Sequence, residues 1–276
     1  MAPANLVLLH GFTQTGRSWD AVIAALAERY RPLGDGRRAL ADRSGVLEDG
    51  SGVLTDRSEV LGDATRVLTP DIRGHGESSA VEPVTLGAVI EDLATAAPAR
   101  FTLAGYSMGG RIALHVALAL GAPRVERLVL IGASPGIADP VARAARRAAD
   151  ERLAAELEGS TIEQFARLWA ATPVLAGQPP AVAATAHADR LRSTPAGLAR
   201  ALRGLGTGAL APLWDRLGEL AMPVTLVAGE RDEKFSAIAA QMAGAVPGAL
   251  PAVVAGAGHA AHLEAPARVA ELILGR

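Results

Sequence analysis

The segment Phe101-Thr102-Leu103-Ala104-Gly105-Tyr106-Ser107-Met108-Gly109-Gly110 constrains the fold of this chain more than any other stretch. A short apolar run ends in a G-x-S-x-G turn, and a helical pattern over residues 109–120 follows at once. A serine at that spacing sits in a sharp strand-to-helix turn, where glycine neighbours let helix and strand approach without Cβ clashes. The run before it has the length and composition of a strand buried on both faces, which needs helices on both sides of a sheet.

Similar runs recur at residues 6–9, 66–69, 127–131, 224–228 and 251–254, alternating with helical stretches at 18–28, 86–96 and 236–245. Such alternation over most of a chain predicts an α/β fold with a mostly parallel, doubly wound sheet. A chain of 276 residues buries roughly 75% of its unfolded surface, so one domain supplies its own core. Half the residues are apolar but only 3% are aromatic, so Ala, Leu and Val must build that core.

Two segments interrupt the alternation. Residues 42–69 hold four copies of a seven-residue unit: DRSGVLE, DGSGVLT, DRSEVLG and DATRVLT. Paired apolar positions in a heptad suggest a coiled coil, but the Gly, Ser and Asp content opposes a long helix. Residues 34–65 are therefore expected to form a repeat-containing surface insertion ahead of one genuine strand. Residues 136–212 are Arg-rich, helical in pattern and free of strand candidates. They fall between two core strands, where a helical lid over a site would be inserted. The core then comprises residues 1–135 and 213–276.

A serine hydroxyl is a weak nucleophile or base alone; it needs an imidazole, which in turn needs an orienting carboxylate. The run at 224–228 leads into Gly229-Glu230-Arg231-Asp232, and the run at 251–254 into Ala255-Gly256-Ala257-Gly258-His259. Spacing from the strand end favours Asp232 over Glu230 as the acid, and His259 is the best-placed base. Of the six histidines, His10 and His75 sit in turns and read as hydrogen-bonded structural residues. His115 falls mid-helix among apolar residues, and His187 lies in the lid without motif context. His262 either assists at the site or packs the loop. An anionic intermediate also needs donors, for which the backbone N–H groups of Met108 and Phe12 are in position.

Arg111 lies four residues after Ser107, close to a helix N-terminus, where an exposed cation is disfavoured by about 0.3–1 kcal/mol. A surface ion pair or an anionic substrate would each account for it. Lys234 reads equally as solvated surface or as part of the site. In the lid, Arg143, Arg146, Arg147 and Arg152 share one predicted helix, and the pairs Arg146–Asp150 and Arg147–Glu151 favour a solvated face. Cations over and beside the serine nonetheless point to a small substrate bearing carboxylates.

A formal charge of −2 gives no general field for nucleic acid or an anionic membrane surface. The absence of cysteine removes disulfides, thiolate metal sites and a cysteine nucleophile. No apolar run reaches membrane-spanning length, and the first residues lack a basic signal region. The expectation is a cytoplasmic protein without nucleic-acid or membrane partners, as a monomer or small homo-oligomer.

Together, Leu9-His10-Gly11-Phe12-Thr13, Gly105-Tyr106-Ser107-Met108-Gly109-Gly110-Arg111, Gly229-Glu230-Arg231-Asp232-Glu233-Lys234-Phe235 and Gly258-His259-Ala260-Ala261-His262 resemble the α/β-hydrolase superfamily. Within it they resemble the 2-succinyl-6-hydroxy-2,4-cyclohexadiene-1-carboxylate synthases of menaquinone biosynthesis. The triad motifs are superfamily-wide; the trailing arginine of Tyr-Ser-Met-Gly-Gly-Arg and the Asp-x-Lys-Phe segment are more specific. The resemblance spans the chain apart from the repeat, which departs from the family pattern, as does the short segment before the first strand.

The resemblance implies an α/β-hydrolase fold with a helical lid and a triad of Ser107, Asp232 and His259. The implied reaction is that of a lyase, eliminating pyruvate from 2-succinyl-5-enolpyruvyl-6-hydroxy-3-cyclohexene-1-carboxylate, with neither metal nor organic cofactor. Ser107, activated by His259, would abstract a proton. Several substrate carboxylates would account for Arg111 and Lys234. Tyr106 and the lid residues Arg146, Trp169 and Arg192 match the family's binding positions. The alternative is a serine carboxylesterase or carbon–carbon bond hydrolase working through an acyl-enzyme.

Overall fold

The computed structural model describes residues 5–29, 43–44, 57–61 and 65–275. Along β1 (Asn5–Leu9) successive side chains point to opposite faces, and both faces are dry: Val7 and Leu9 enter one core, Leu6 and Leu8 the other. That explains an apolar run without polar alternation. The other strands are β2 (Arg43–Ser44), β3 (Arg57–Leu61), β4 (Thr65–Leu68), β5 (Phe101–Tyr106), β6 (Val125–Ile131), β7 (Val224–Gly229) and β8 (Leu250–Val254). They form one sheet in the order β2-β3-β4-β1-β5-β6-β7-β8. From β4 to β8 all pairs are parallel; β2–β3 and β3–β4 are antiparallel.

The helices are α1 (Asp20–Arg29), α2 (Leu86–Ala96), α3 (Met108–Leu120), α4 (Pro140–Glu158), α5 (Ile162–Ala170), α6 (Pro180–Arg190), α7 (Pro195–Leu205), α8 (Glu233–Ala245), α9 (Ala261–Glu264) and α10 (Pro266–Ile273). One face of the sheet is covered by α2, α3 and α8 through Val89, Leu93, Ile112, Val116 and Met242. The other is covered by α1 and α10 through Val22, Ile23, Leu26, Val269 and Ile273. Each such side chain contributes about 1.5–3 kcal/mol on burial.

Helices α4 to α7 are inserted between β6 and β7, over the residues where the sequence leads one to expect a lid. They have a small core of their own, in which Leu157 and Phe165 meet Leu198 and Leu202. They start where the sequence supplies caps: Asp139 accepts from Ala142 N–H, and Thr161 and Gln164 form a reciprocal capping box. No helix among the described residues is long and apolar enough to cross a membrane.

Much of the repeat lies outside the described residues. Where it is described, it differs from the expected single strand. Residues of the third copy form β3 and pair with β4, from the fourth copy, with Ser58 opposite Leu68 and Leu61 opposite Thr65. Leu61 is 2% exposed and Val60 54% exposed, so the unit's Leu points into the core and its Val away from it. An apolar dipeptide split between two faces suits a strand next to the sheet's edge, flanked there by the two-residue β2, and an antiparallel edge on a parallel sheet is common.

Candidate active site

The chain leaves β1 on one side of the sheet's midline and β5 on the other, so their C-terminal ends flank a crevice at a topological switch point. Ser107 stands at the end of β5 with φ 52° and ψ −110°, a left-handed geometry costing about 1–3 kcal/mol. The turn is held by Ser107 N–H donating to Ile131 O at 2.8 Å and Arg111 N–H donating to Ser107 O at 3.0 Å. Its glycines are steric necessities. A Cβ on Gly105 would lie 2.4 Å from Gly109 O, and one on Gly109 would lie 2.3 Å from His10 O.

Asp232 follows β7 and His259 follows β8. His259 Nδ1 lies 2.6 Å from Asp232 Oδ2, and His259 Nε2 lies 3.1 Å from Ser107 Oγ. The geometry fits an Nδ1–H donating to the carboxylate, leaving Nε2 to accept from the serine. Asp232 also caps α8, its Oδ1 accepting from Phe235 N–H, which starts that helix three residues before the sequence expectation. The Phe235 ring packs 4.5 Å from the His259 ring and limits its rotation. The rival carboxylate, Glu230, is exposed and accepts from Gly256 N–H instead.

The other histidines described do not reach the serine. His10 Nε2 accepts from Ile72 N–H, and burial lowers its pKa to about 4. His75 packs edge-on against His10, and burial lowers its pKa to about 3. His262 is fully buried against Tyr106 and Trp19, and burial lowers it to about 3 as well. It therefore packs the loop as a neutral ring. His115 is held down at about 4 by burial and by the Arg111 charge.

Phe12, in the loop after β1, and Met108, the first residue of α3, line the same cavity as Ser107, and a first helical residue such as Met108 has an N–H without an intrahelical partner. Two cavities meet at the serine. The larger, 330 Å³, is lined by Arg111, Arg146, Lys234, Met108 and Trp214; the smaller, 50 Å³, by Gln14, Tyr106, Leu175 and Arg190. Phe12, Ser107, Trp169, Val174 and His259 line both.

Arg111 is 6% exposed, which removes the surface ion-pair reading. Its Nη2 donates to Leu205 O, while its Nε has no partner. Burial, with Arg146 nearby, lowers its pKa to about 10, so it stays cationic at neutral pH. Lys234 is exposed at the cavity rim, with Nζ 5.5 Å from the Phe235 ring centre. Arg146 pairs with Asp150 at 2.7 Å and still lines the larger cavity. The second lid pair differs from expectation: Glu151 bonds Arg203, which also holds Glu158, across α4 and α7. Trp169 stands edge-on to Phe12 at 5.1 Å and closes the space above the serine. Tyr106 is buried, and burial with the Asp232 charge raises its pKa, so its hydroxyl stays protonated.

Arg192 is placed elsewhere than the resemblance implies. Its side chain is half-exposed, 3.8 Å from Asp189, and lines neither cavity. Arg190 takes that place. It is 2% exposed, its Nε has no partner, and burial lowers its pKa. Arg190 is the last residue of α6, whereas Arg192 lies in the turn beyond it, where its N–H donates to Asp189 O at 3.0 Å. No cluster of three or more metal-binding side chains occurs among the described residues.

Comparison with known proteins matches residues 6–272 to the alpha/beta hydrolase family. The chain is 34% identical over 205 residues to the 2-succinyl-6-hydroxy-2,4-cyclohexadiene-1-carboxylate synthase of Salmonella heidelberg, covering 73% of this chain and 79% of the relative. Among solved structures it resembles MenH from S. aureus, with a TM-score of 0.79, 30% identity, and coverage of 99% of this chain and 92% of that one. An esterase from Thermogutta terrifontis, 24% identical with a TM-score of 0.72 over 99% of this chain and 89% of its own, shares the fold.

Proposed function

The chain belongs to the α/β-hydrolase family, and on that premise we propose that it is a carbon–oxygen lyase releasing pyruvate from 2-succinyl-5-enolpyruvyl-6-hydroxy-3-cyclohexene-1-carboxylate. One observation carries the reading. Two cavities meet at Ser107, and each holds a buried arginine, Arg111 or Arg190, without a hydrogen-bonded carboxylate partner. A buried, unpaired cation is costly unless a ligand supplies the counter-charge. A substrate with carboxylates on opposite sides of its reacting ring meets that need. The likeness to synthases of this reaction at 34% identity supports the same reading.

The chemistry follows from the bonds that must change. The ring proton beside the succinyl ketone is removed, a new ring double bond forms, the existing one shifts, and the C–O bond to the enolpyruvyl group breaks. His259 Nε2 takes the Ser107 proton, so that Ser107 Oγ accepts the proton from carbon. The Asp232 carboxylate holds the imidazole in the required tautomer and stabilises the imidazolium. The enolate oxygen that develops is met by the Phe12 and Met108 N–H groups. The proton then leaves with the enolpyruvate, which becomes pyruvate. No acyl-enzyme is formed.

The same three residues would suit an esterase, and mass spectrometry of quenched turnover separates the two. The lyase shows equimolar pyruvate and diene with unmodified Ser107 throughout. An acylated Ser107 that forms and decays at the turnover rate would overturn the elimination reading.

A further inference from the structure

The loop after β1 carries Phe12 and is held at two consecutive amides by two buried carboxylates from distant parts of the chain. Gly16 N–H donates to Asp71 Oδ1 at 2.7 Å. Thr15 N–H donates to Asp189 Oδ2 at 2.9 Å, and the Thr15 hydroxyl donates to Asp189 Oδ1 at 2.5 Å. Asp71 belongs to the core, whereas Asp189 lies in the last turn of lid helix α6, immediately before Arg190. Both carboxylates are buried.

The loop needs such restraint. Thr13, next to Phe12, has φ 71°, a left-handed conformation that a β-branched residue avoids and that persists only where its surroundings over-determine it. Freed from its tethers, the loop would relax and turn the neighbouring Phe12 N–H. A donor to a developing anion has to be fixed within about 0.5 Å to be effective. Burial raises the Asp189 pKa while the two Thr15 bonds lower it, so the loop contact itself favours the ionised carboxylate.

We propose that Asp189 is a positioning residue: acting through Thr15 it locks the Phe12 amide toward Ser107, and through its place on α6 it holds Arg190 at the smaller cavity. The lid thereby sets the anion-binding geometry of the core as well as covering it. The inference rests on the proposed role of the Phe12 amide, but not on the identity of the substrate.

The test uses Asp189→Asn, Thr15→Val, Thr15→Ser and the double variant Asp189→Asn/Thr15→Val in the full chain. The first readout is the rate at which a neutral phosphonate labels Ser107, since that reaction needs the anion donors and no substrate carboxylate. The second is kcat and KM for pyruvate release. Asp189→Asn and Thr15→Val should each slow labelling by about tenfold or more, short of the roughly 100-fold or greater loss from deleting a donor outright. The double variant should be no slower than the slower single one, because both cut the same connection. Thr15→Ser, which keeps the hydroxyl, should recover most of the rate lost in Thr15→Val. In turnover, Thr15→Val should lower kcat alone, while Asp189→Asn should also raise KM through Arg190. Labelling at the wild-type rate in Thr15→Val, or losses that multiply in the double variant, would overturn the proposal. If the wild-type protein released no pyruvate, the labelling rates would still judge Asp189.

Discussion

Replacing Arg111 by methionine should leave the protein at least as stable and make it less active. The Arg111 guanidinium is 6% exposed, and burial lowers its pKa from the ordinary arginine value to about 10. That difference corresponds to roughly 3 kcal/mol against the charged form at neutral pH. Methionine fills much of the same volume and removes that cost, while losing the hydrogen bond to Leu205 O, worth about 1.5–3 kcal/mol for a charged donor. The net change is then about 0–1.5 kcal/mol in favour of the variant, a Tm between unchanged and roughly 5 °C higher for a domain near this size. Removing one partner of a desolvated charge pair costs about 2–5 kcal/mol in binding, which is a drop of roughly 30- to several-thousand-fold in kcat/KM. Differential scanning fluorimetry without substrate and steady-state pyruvate release read the two effects. A variant that melts several degrees lower would show the guanidinium to be a structural strut. Unchanged kcat/KM would show that Arg111 does not meet a substrate carboxylate.

Three further outcomes are expected. His10, His75 and His262 are held neutral by burial at about 4, 3 and 3, against about 6.5 when unfolded. Below pH 6.5 the unfolded chain binds more protons than the native one, so stability falls with pH by up to roughly 1.4 kcal/mol per unit per ring; a urea midpoint flat from pH 7 to 5 would contradict this. Leu61→Ala should cost about 2–5 kcal/mol as a core truncation, whereas Val60→Ala at a 54% exposed position should cost well under 1 kcal/mol; equal effects in chemical denaturation would place β3 outside the sheet. Gly109→Ala would drive a Cβ to 2.3 Å from His10 O, and should leave little soluble, serine-reactive protein on labelling and gel filtration; normal yield and labelling would refute the steric account of the elbow.

The alternation of apolar runs with helical stretches was legible because strands buried on both faces carry no polar alternation, as β1 shows. That Ser107, Asp232 and His259 come together was legible because each stands a few residues beyond the end of a strand. What the sequence hid was orientation. Arg190 closes α6 and Arg192 lies in the turn after it, and nothing local says where that helix ends or which of the two faces the serine. Arg111 looked compatible with a surface pair because its burial depends on α7 and Leu205, 94 residues away. The repeat looked like an insertion because four similar units differ little, yet pairing with β4 recruits the third into the sheet. The Asp189–Thr15 tether spans 174 residues and has no local signature.

The central claim is that the triad serves elimination of pyruvate. Its most direct test is to incubate the purified protein with 2-succinyl-5-enolpyruvyl-6-hydroxy-3-cyclohexene-1-carboxylate and follow pyruvate and diene together, with Ser107→Ala as the control. Equimolar appearance of both, at a rate far above the spontaneous one and abolished in Ser107→Ala, is the predicted result. Rapid turnover of simple esters with pyruvate release no faster than in Ser107→Ala would contradict it.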